Sequence, residues 1–335
     1  VTGTVERARA GDAAAFAELI GPYRHELHVH CYRILGSLDD ADDLLQETLV
    51  AAWRGLADYA ARASLRTWLY TIATRRCLNA IRAGRRRPRP APQPPFEPPE
   101  PTTRDALGWL QPYPDRLVPD VAVERRESIR LAMITALQRI PPRQTAAVLL
   151  VDVLGFRPAE AATMLEVGPT AVKGLLQRAR TALAVDADPR VPDRPLDEHD
   201  QLLADRFAAA FCADDIAAVV SLLTDDAWLA MPPAPHRYHG SAAIGAFLRA
   251  SSTWRAGRRF RLLSTTANGQ PAFGCYLAGD ALGPAAAPAA PDVLRPNGVI
   301  VLTTAENQIG MITRFLDPGL HRHFGLPDQL IDEPA

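Results

Sequence analysis

The stretch GFRPAEAATMLEVGPTAVKGLLQRAR, Gly155 to Arg180, holds two short helical periods separated by a tight turn. From Pro158 a helix places Ala161, Ala162 and Leu165 on one side, and Glu166-Val167-Gly168 turns the chain. Pro169 suits the first position of a second helix, whose inward residues are Val172, Leu175, Leu176, Ala179 and Leu183. The same helix carries a polar and basic set, Thr170, Lys173, Gln177, Arg178 and Arg180. Two short helices around a Gly-containing turn, the second with such a face, make a helix-turn-helix; a plain helical hairpin would share the period. The N-terminal part of a recognition helix faces base edges, so Thr170, Lys173 and Gln177 are readout candidates and Arg178 and Arg180 suit phosphates. Gly174 has no side chain to read with and lets the backbone come close to DNA.

Upstream, a helical period from Val121 to Arg139 runs through Ile129, Met133, Leu137 and Ile140, stops at Pro141-Pro142, and resumes from Arg143 to Val153. Before it, Pro88 to Pro119 contains eleven Pro in 32 residues. Such composition has no packable period and predicts an extended tether, with Trp109, Leu110 and Tyr113 as its sticking points.

The next block outward, SLRTWLYTIATRRCLNAIRAGRRRPR (Ser64 to Arg89), sets Leu65, Trp68, Ile72 and Leu78 at helical spacing. Arg62 to Arg89 holds nine Arg and no acid, so Arg66, Arg75, Arg76 and Arg82 require water or an anionic partner. Asp39 to Leu56 reads as the opposite case, a helix with Asp39, Asp40, Asp42, Asp43 and Glu47 and no base before Arg54. Acids in its first turn complement the helix dipole. Leu44, Leu45, Thr48 and Ala52 point inward, and Asp42, Asp43, Gln46 and Glu47 form either a solvated face or a docking face for a basic partner. Earlier still, Asp12 caps a short helix through Phe16, Leu19 and Ile20, Gly21-Pro22 breaks it, and a second helix with Leu27, Cys31, Ile34 and Leu35 inward ends at Gly36. His25, His28 and His30 lack a fourth ligand, and His30 points away from the other two, so no metal is expected.

Downstream of a Pro- and Asp-rich link at Asp186 to Asp197, helices at Glu198 to Ala213 and Ile216 to Leu223 precede strand-like runs. These runs are Ala227 to Met231, Arg259 to Thr265, Ala272 to Leu277, Val299 to Thr304 and Gly310 to Phe315, with a helix at Ala242 to Ala250. Ala278 to Pro296 reads as a flexible hairpin insertion. Helices followed by a mostly antiparallel sheet give an α+β domain.

The 335 residues, 47% apolar and 22% charged, suffice for two or three cores. The net charge of −1 divides into +4 over residues 1–194 and −5 beyond, which excludes a uniform electrostatic coat for DNA and favours patches for different partners. Cys31, Cys77, Cys212 and Cys275 form no CxxC pair and read as small buried hydrophobes. With no secretory leader and no run of eighteen apolar residues, a cytoplasmic protein without membrane contact is expected.

Residues 1–185 resemble a bacterial RNA polymerase sigma factor of the extracytoplasmic-function group in the sigma-70 family. The strings that carry the likeness are ELHVHCYRILGSLDDADDLLQETLVAAW (Glu26 to Trp53), ASLRTWLYTIATRRCLNAIR (Ala63 to Arg82), LQRIPPRQ (Leu137 to Gln144) and the helix-turn-helix. The resemblance implies that Asp42, Asp43, Gln46 and Glu47 dock on the coiled coil of the largest catalytic subunit of core polymerase. It implies that Arg62, Ser64, Arg66, Thr67, Trp68, Tyr70, Arg75, Arg76, Asn79 and Arg82 line the promoter −10 region, and that the second module reads the −35 element. Trp68 can stack on an extruded base or simply pack in the core.

The residues beyond Leu196 resemble the SnoaL-like domain of the NTF2-like superfamily, through FAAAFCADDIAAVVSLLTDDAW, HGSAAIGAFL and VLTTAENQIGMITRFLDP. The implied plan is a sigma region-two helical domain at 1–87, a Pro-rich linker at 88–120, a region-four helix-turn-helix domain at 121–186, a linker at 187–197 and a SnoaL-like α+β domain with a curved sheet at 198–335. The turn EVGPT departs from the family's usual Ser or Thr before the recognition helix, and the linker lacks the acidic-glycine string of another subgroup with this extension. Trp228, His239, Trp254, Phe273 and Tyr276 are the expected lining of a C-terminal pocket. No acid and base converge among the C-terminal residues, so neither turnover nor a cofactor is expected. The expected partners are core polymerase, promoter DNA and an intramolecular contact of the extension with the sigma modules, with a small-molecule ligand for the extension as a further possibility. Two readings compete: a non-sigma helix-turn-helix regulator, which leaves the acidic helix unexplained, and a polyketide-cyclase-like enzyme carried by the extension.

Overall fold

A computed structural model of the protein describes residues 2–61, 63–84, 94–104, 110–118, 130–186, 196–279, 293–305 and 307–331. Arg62, Trp109, the stretch from Val121 to Ile129 and most of the Ala-Pro insertion lie outside the described residues. The chain divides into two compact units: residues 1–87 with 122–187, and residues 88–121 with 188–335.

Unit 1 is all helical among its described residues. Its first part consists of α1 (Thr2–Arg9), α2 (Ala13–Leu35), α3 (Leu38–Gly55) and α4 (Leu65–Arg82). The starts of α2, α3 and α4 are chemically marked: the Asp12 carboxylate accepts from the N–H of Ala14 and Ala15, Ser37 Oγ from Asp40 N, and Ser64 Oγ from Thr67 N. Gly36, at φ 72°, ends α2 and returns its N–H to Tyr32 O at 2.7 Å. Leu27, Tyr32, Leu35, Leu38, Leu45 and Leu69 are all buried where α2, α3 and α4 meet. Cys31 and Cys77 are buried there as well, and the hydrogen bond between the two thiols, together with burial, pushes the Cys77 thiol up.

Gly21-Pro22 does not break the chain, because α2 is one helix with Pro22 inside it. Pro22 and Gly21 are exposed, so the missing i−4 hydrogen bond falls on the wet side, where water can serve the carbonyl of Glu18, while Leu19, Ile20 and Leu27 are buried on either side of the proline. Packing of both halves outweighs the local signal.

The second part of unit 1 is α5 (Leu131–Arg139), α6 (Pro142–Val148), a wider helical turn at Leu149–Val153, α7 (Pro158–Leu165) and α8 (Pro169–Asp186). Ile134, Leu137, Ala147, Leu149, Met164 and Val172 are buried among these helices. The N–H of Arg157 donates to Glu160 Oε2 at 2.9 Å, which satisfies the first turn of α7, and Glu166 ends that helix at φ 54°.

Unit 2 is a mixed sheet with helices. After α9 (Glu198–Cys212) and α10 (Ile216–Ser221) come β2 (Leu223–Ala230), β3 (His236–His239), α11 (Ser241–Arg255), β4 (Phe260–Ala267), β5 (Gln270–Ala278), β6 (Val293–Ala305) and β7 (Gln308–Phe315). With β1 (Thr103–Arg104) the strand order is β1-β3-β2-β7-β6-β5-β4, and β8 (Leu330–Ile331) pairs with β6. Only β2 and β7 run parallel among the described pairs. Phe207, Phe211, Ile244, Phe247, Phe273 and Ile300 belong to the core between helices and sheet. In β3 Tyr238 is fully buried beside exposed His239, the alternation of a half-buried strand.

The Pro-rich segment is not a free tether in its described parts, which pack within unit 2. Thr103 and Arg104 pair antiparallel with Arg237 and His236, and Tyr238 Oη donates to Pro99 O at 2.8 Å. Farther on, Leu110, Gln111 and Tyr113 are buried. Tyr113 N–H donates to Asn268 Oδ1 at 2.7 Å, Asn268 N–H returns to Tyr113 O at 2.8 Å, and Asp115 accepts from Gly269 N at 2.9 Å. Proline removes donors and a repeating period, but single side chains and carbonyls suffice to dock an extended chain.

Candidate polymerase and nucleic-acid interfaces

The acidic helix α3 carries one outward stripe. Asp42, Asp43 and Gln46 are exposed and Glu47 is half-buried. Asp42 Oδ1 lies 3.1 Å from His28 Nε2, and Arg76 Nη1 donates to Glu47 Oε2 at 3.0 Å. Two apolar side chains continue the stripe, Val50 at 48% and Trp53 at 37% exposure, and Trp53 meets Phe16 edge-on at 5.0 Å. The 3.6-residue spacing from Asp43 through Gln46 to Val50 and Trp53 is the signal in the sequence that extends the stripe beyond Glu47.

Helix α4 distributes the ten residues of the expected −10 set unequally. Ser64 and Thr67 serve the N-terminal cap, their hydroxyls 2.9 Å apart. Trp68 is half-buried, 4.9 Å from the Tyr59 ring, and packs on the small cluster of Ala8, Ala15, Leu19 and Leu56. Tyr70 is fully buried, and its Oη donates to Glu26 Oε2 at 3.0 Å; burial and the Glu26 charge push its phenol up. Asn79 and Arg82 are exposed at the far end, where Arg82 Nη1 donates to Asn79 Oδ1 at 3.1 Å. Arg76 is bound to α3 as described, and Arg62 lies outside the described residues.

The remaining two, Arg66 and Arg75, are turned onto the second helical module. The Arg66 guanidinium sits 4.9 Å from the Tyr70 ring and 4.7 Å from the Phe156 ring. Arg75 donates to Met164 O at 3.1 Å and Thr163 O at 2.8 Å, and pairs with Glu166 at 3.0 Å. Tyr70 and Phe156 meet edge-on at 5.3 Å. The end of α7 therefore covers part of the α4 face.

On α8, Thr170, Lys173, Gln177 and Arg178 are exposed along one side, opposite buried Val172, Leu176 and Ala179. The Arg178 guanidinium folds over Gly174, where an added Cβ would meet its Nη1 at 3.4 Å. Arg180 is held apart from this face: its fork donates to Asp152 at 3.0 and 2.7 Å, and that carboxylate raises its pKa further.

Residues 19–87 match the Sigma-70 region 2 family, and residues 130–183 match Sigma-70, region 4. The chain is 42% identical to the ECF RNA polymerase sigma factor SigG of Mycobacterium tuberculosis over 334 residues, 96% of this chain and 86% of the relative. The chain belongs to the ECF RNA polymerase sigma factors. A second relative of this sigma factor, SigM of the same organism, is 31% identical over 52% of this chain and 78% of its own. The crystal structure of the M. tuberculosis extracytoplasmic function sigma factor SigJ shares the fold, with a TM-score of 0.62 at 23% identity over 93% of this chain and 99% of that one.

As a sigma factor the chain works by binding rather than by catalysis. Among the described residues no group of three or more His, Cys, Asp and Glu can hold a metal ion, and no helix is long and apolar enough to cross a membrane. His30 is fully buried with Nε2 2.8 Å from Thr74 Oγ1, and burial lowers its pKa to about 3, so it is a neutral core residue.

Among the described residues, unit 2 has a cavity that one of the five side chains expected to line a pocket reaches. Trp254 lines it. Trp228 stacks on His239 at 4.4 Å with Arg237 over its other side at 4.4 Å, on the sheet face opposite buried Leu229 and Tyr238. Phe273 is core, 6.4 Å from Phe207, and Tyr276 Oη donates to Pro327 O at 2.9 Å. The buried Arg255 pairs with Asp214 and lies over Phe211 and Phe260 at 5.1 Å, which occupies both groups structurally.

Proposed function

We propose that this sigma factor divides its binding among three faces: the outward stripe of α3 for core polymerase, α4 with its preceding loop for the −10 element, and α8 for the −35 element. The observation that carries this reading is the separation of roles on α8 and α3. Val172, Leu176 and Ala179 are buried while Thr170, Lys173, Gln177 and Arg178 face outward, and Asp42, Asp43 and Gln46 are exposed over buried Leu44, Leu45 and Thr48. The stripe on α3 includes Val50 and Trp53, since an apolar centre rimmed by charge suits a protein partner better than a solvated face does. Arg180, occupied by Asp152, serves the module's structure before it serves phosphate.

Because Arg66 and Arg75 contact α7 and the loop before it, the form described here keeps part of the −10 surface covered. Use of both modules on a promoter requires α7 to leave α4. Unit 2 is a SnoaL-like domain of the NTF2-like type with a curved sheet, as its helices-then-sheet order supports, and it regulates the sigma modules. Its apolar cavity supports ligand sensing as the means. The test is promoter binding by the complex with core polymerase across −35 variants. Lys173→Ala relaxes discrimination at one −35 position by about 5- to 100-fold. Unchanged discrimination contradicts the −35 assignment of α8.

A further inference from the structure

Unit 2 contains a cavity of about 60 Å³ whose wall is mostly apolar: Leu229, Met231, Phe247, Ile300 and Ile312 line it. Its polar edge is Arg314, which donates to Asn297 Oδ1 at 2.5 Å. Part of the wall comes from Pro94, Pro95 and Phe96, residues of the segment that joins the two sigma modules. Phe96 packs 5.5 Å from the Phe247 ring and 6.0 Å from the Trp254 ring. With Phe96 in place the space holds a few waters, far short of the ~300–1,000 Å³ of an ordinary ligand pocket.

Phe96 is placed differently from the rest of its segment. The anchors lie beyond it: Pro99 O on Tyr238 Oη, Thr102 Oγ1 on His239 N, and the pairing of Thr103 and Arg104 with β3. None of them depends on the Phe96 ring, which hangs from the anchored strand as a single apolar side chain. Its two partners, Phe247 and Trp254, are both on α11, and Arg258 lies 4.1 Å over the Trp254 ring. An aromatic side chain set in a cavity whose edge carries the Arg314 guanidinium occupies the place that a flat ligand with one acidic group would fill.

We propose that this cavity binds a flat, mainly apolar molecule bearing one acidic group, and that Phe96 is an intramolecular placeholder which such a molecule displaces. This rests on the reading of unit 2 as a regulatory domain. The ring partners of the ligand are Phe247 and Trp254, and its acid pairs with Arg314. Since the displaced residues belong to the chain between α4 and α5, entry of the ligand frees Pro94 to Phe96 while the anchors from Pro99 to Arg104 stay in place. The ligand and the Phe96 ring cannot both occupy the cavity, so the position of Pro94 to Phe96 reports its occupancy.

The test uses the full chain and two naphthalene dyes, anionic 8-anilinonaphthalene-1-sulfonate and neutral N-phenyl-1-naphthylamine, titrated by fluorescence with stoichiometry determined. Phe96→Ala is expected to tighten both dyes about 10-fold at one site per chain, with the near-UV circular dichroism of the chain preserved. Adding Arg314→Met to Phe96→Ala is expected to remove most of the gain for the sulfonate and little of the gain for the neutral dye. No gain with Phe96→Ala for either dye, or dye uptake at several sites, overturns the placeholder. Equal loss of both dyes on Arg314→Met overturns the acid-binding role. Run-off transcription with core polymerase and saturating sulfonate dye separates the underlying reading: one-site binding that leaves transcription unchanged keeps the cavity and refutes its regulatory use.

Discussion

Arg75 and Glu166 pair at 3.0 Å, joining the helix expected to open the −10 element to the turn that precedes the recognition helix. Both side chains are partly exposed, so the pair contributes ~0–1 kcal/mol, and the two carbonyls of Thr163 and Met164 hold the guanidinium as well. Glu166→Lys turns attraction into repulsion at that point. Affinity of the isolated sigma factor for single-stranded −10 DNA is expected to rise up to about 5-fold, read by fluorescence anisotropy. A fall would show that Glu166 assists DNA binding rather than closing the face.

Val50 and Trp53 extend the acidic stripe of α3, and Val50, at 48% exposure, is the cleaner one to test because Trp53 also packs on Phe16. Val50→Ser is expected to leave thermal stability within ~0.5 kcal/mol and to weaken core-polymerase binding about 5-fold or more in a competition assay. Undiminished affinity would confine the docking face to the acids.

The buried His30 gives unit 1 a pH signature. Its folded pKa, lowered to about 3 by burial, lies below the ordinary value of 6.5, so the unfolded chain takes up a proton that the folded one refuses. Stability is therefore constant from this source above pH 6.5, and is lost as pH falls from 6.5 toward 3, by at most ~1.4 kcal/mol per pH unit. His25, lowered to about 4 mainly by burial, adds in the same direction. Denaturant titrations between pH 7 and 5 should show a shallower slope for His30→Gln than for the parent chain; equal slopes contradict the buried neutral imidazole.

Gly298 and Gly257 both have positive φ, 86° and 77°, but differ in their surroundings. A Cβ at Gly298 would sit 1.9 Å from the carbonyl oxygen of Phe315, and nothing lies within 4 Å at Gly257. Gly257→Ala is expected to cost only the ~1–3 kcal/mol of backbone conformation, whereas Gly298→Ala forces β6 and β7 apart and costs more. Thermal melts of unit 2 measure the difference, and equal costs would contradict the close approach of these strands.

Much of unit 1 was legible because its helices carry strong local marks. Asp12, Ser37 and Ser64 cap where a short polar acceptor meets an apolar period, and the helix-turn-helix could be read from Pro158, Gly168 and Pro169. Two things resisted. Pro22 looks like a stop in sequence, but its consequence depends on which side of α2 faces water, a tertiary fact. Leu110 and Tyr113 could be named as sticking points, but where they dock, and the docking of Phe96, were hidden because extended chain has no period; they are held by isolated matches such as Tyr113 with Asn268, 155 residues apart. Site residues were limited in the same way. Composition marked Arg66, Arg75 and Arg180 as cations seeking anions, but only folding reveals that Glu26, Glu166 and Asp152 lie within reach of them. Trp228 and His239, paired across β2 and β3, share the sheet face opposite buried Leu229 and Tyr238, and a one-residue difference in strand parity decides which side an aromatic ring serves.

The most direct test of the central claim is in vitro initiation. Core polymerase is combined with the full chain on a pooled library of genomic promoter fragments, and the 5′ ends of transcripts are sequenced. The account predicts discrete start sites that share one −10 and one −35 sequence, absent with core polymerase alone and lost together with Asp43→Arg in the core-docking stripe. No chain-dependent start site, in a reaction where a control sigma factor initiates normally, would contradict it.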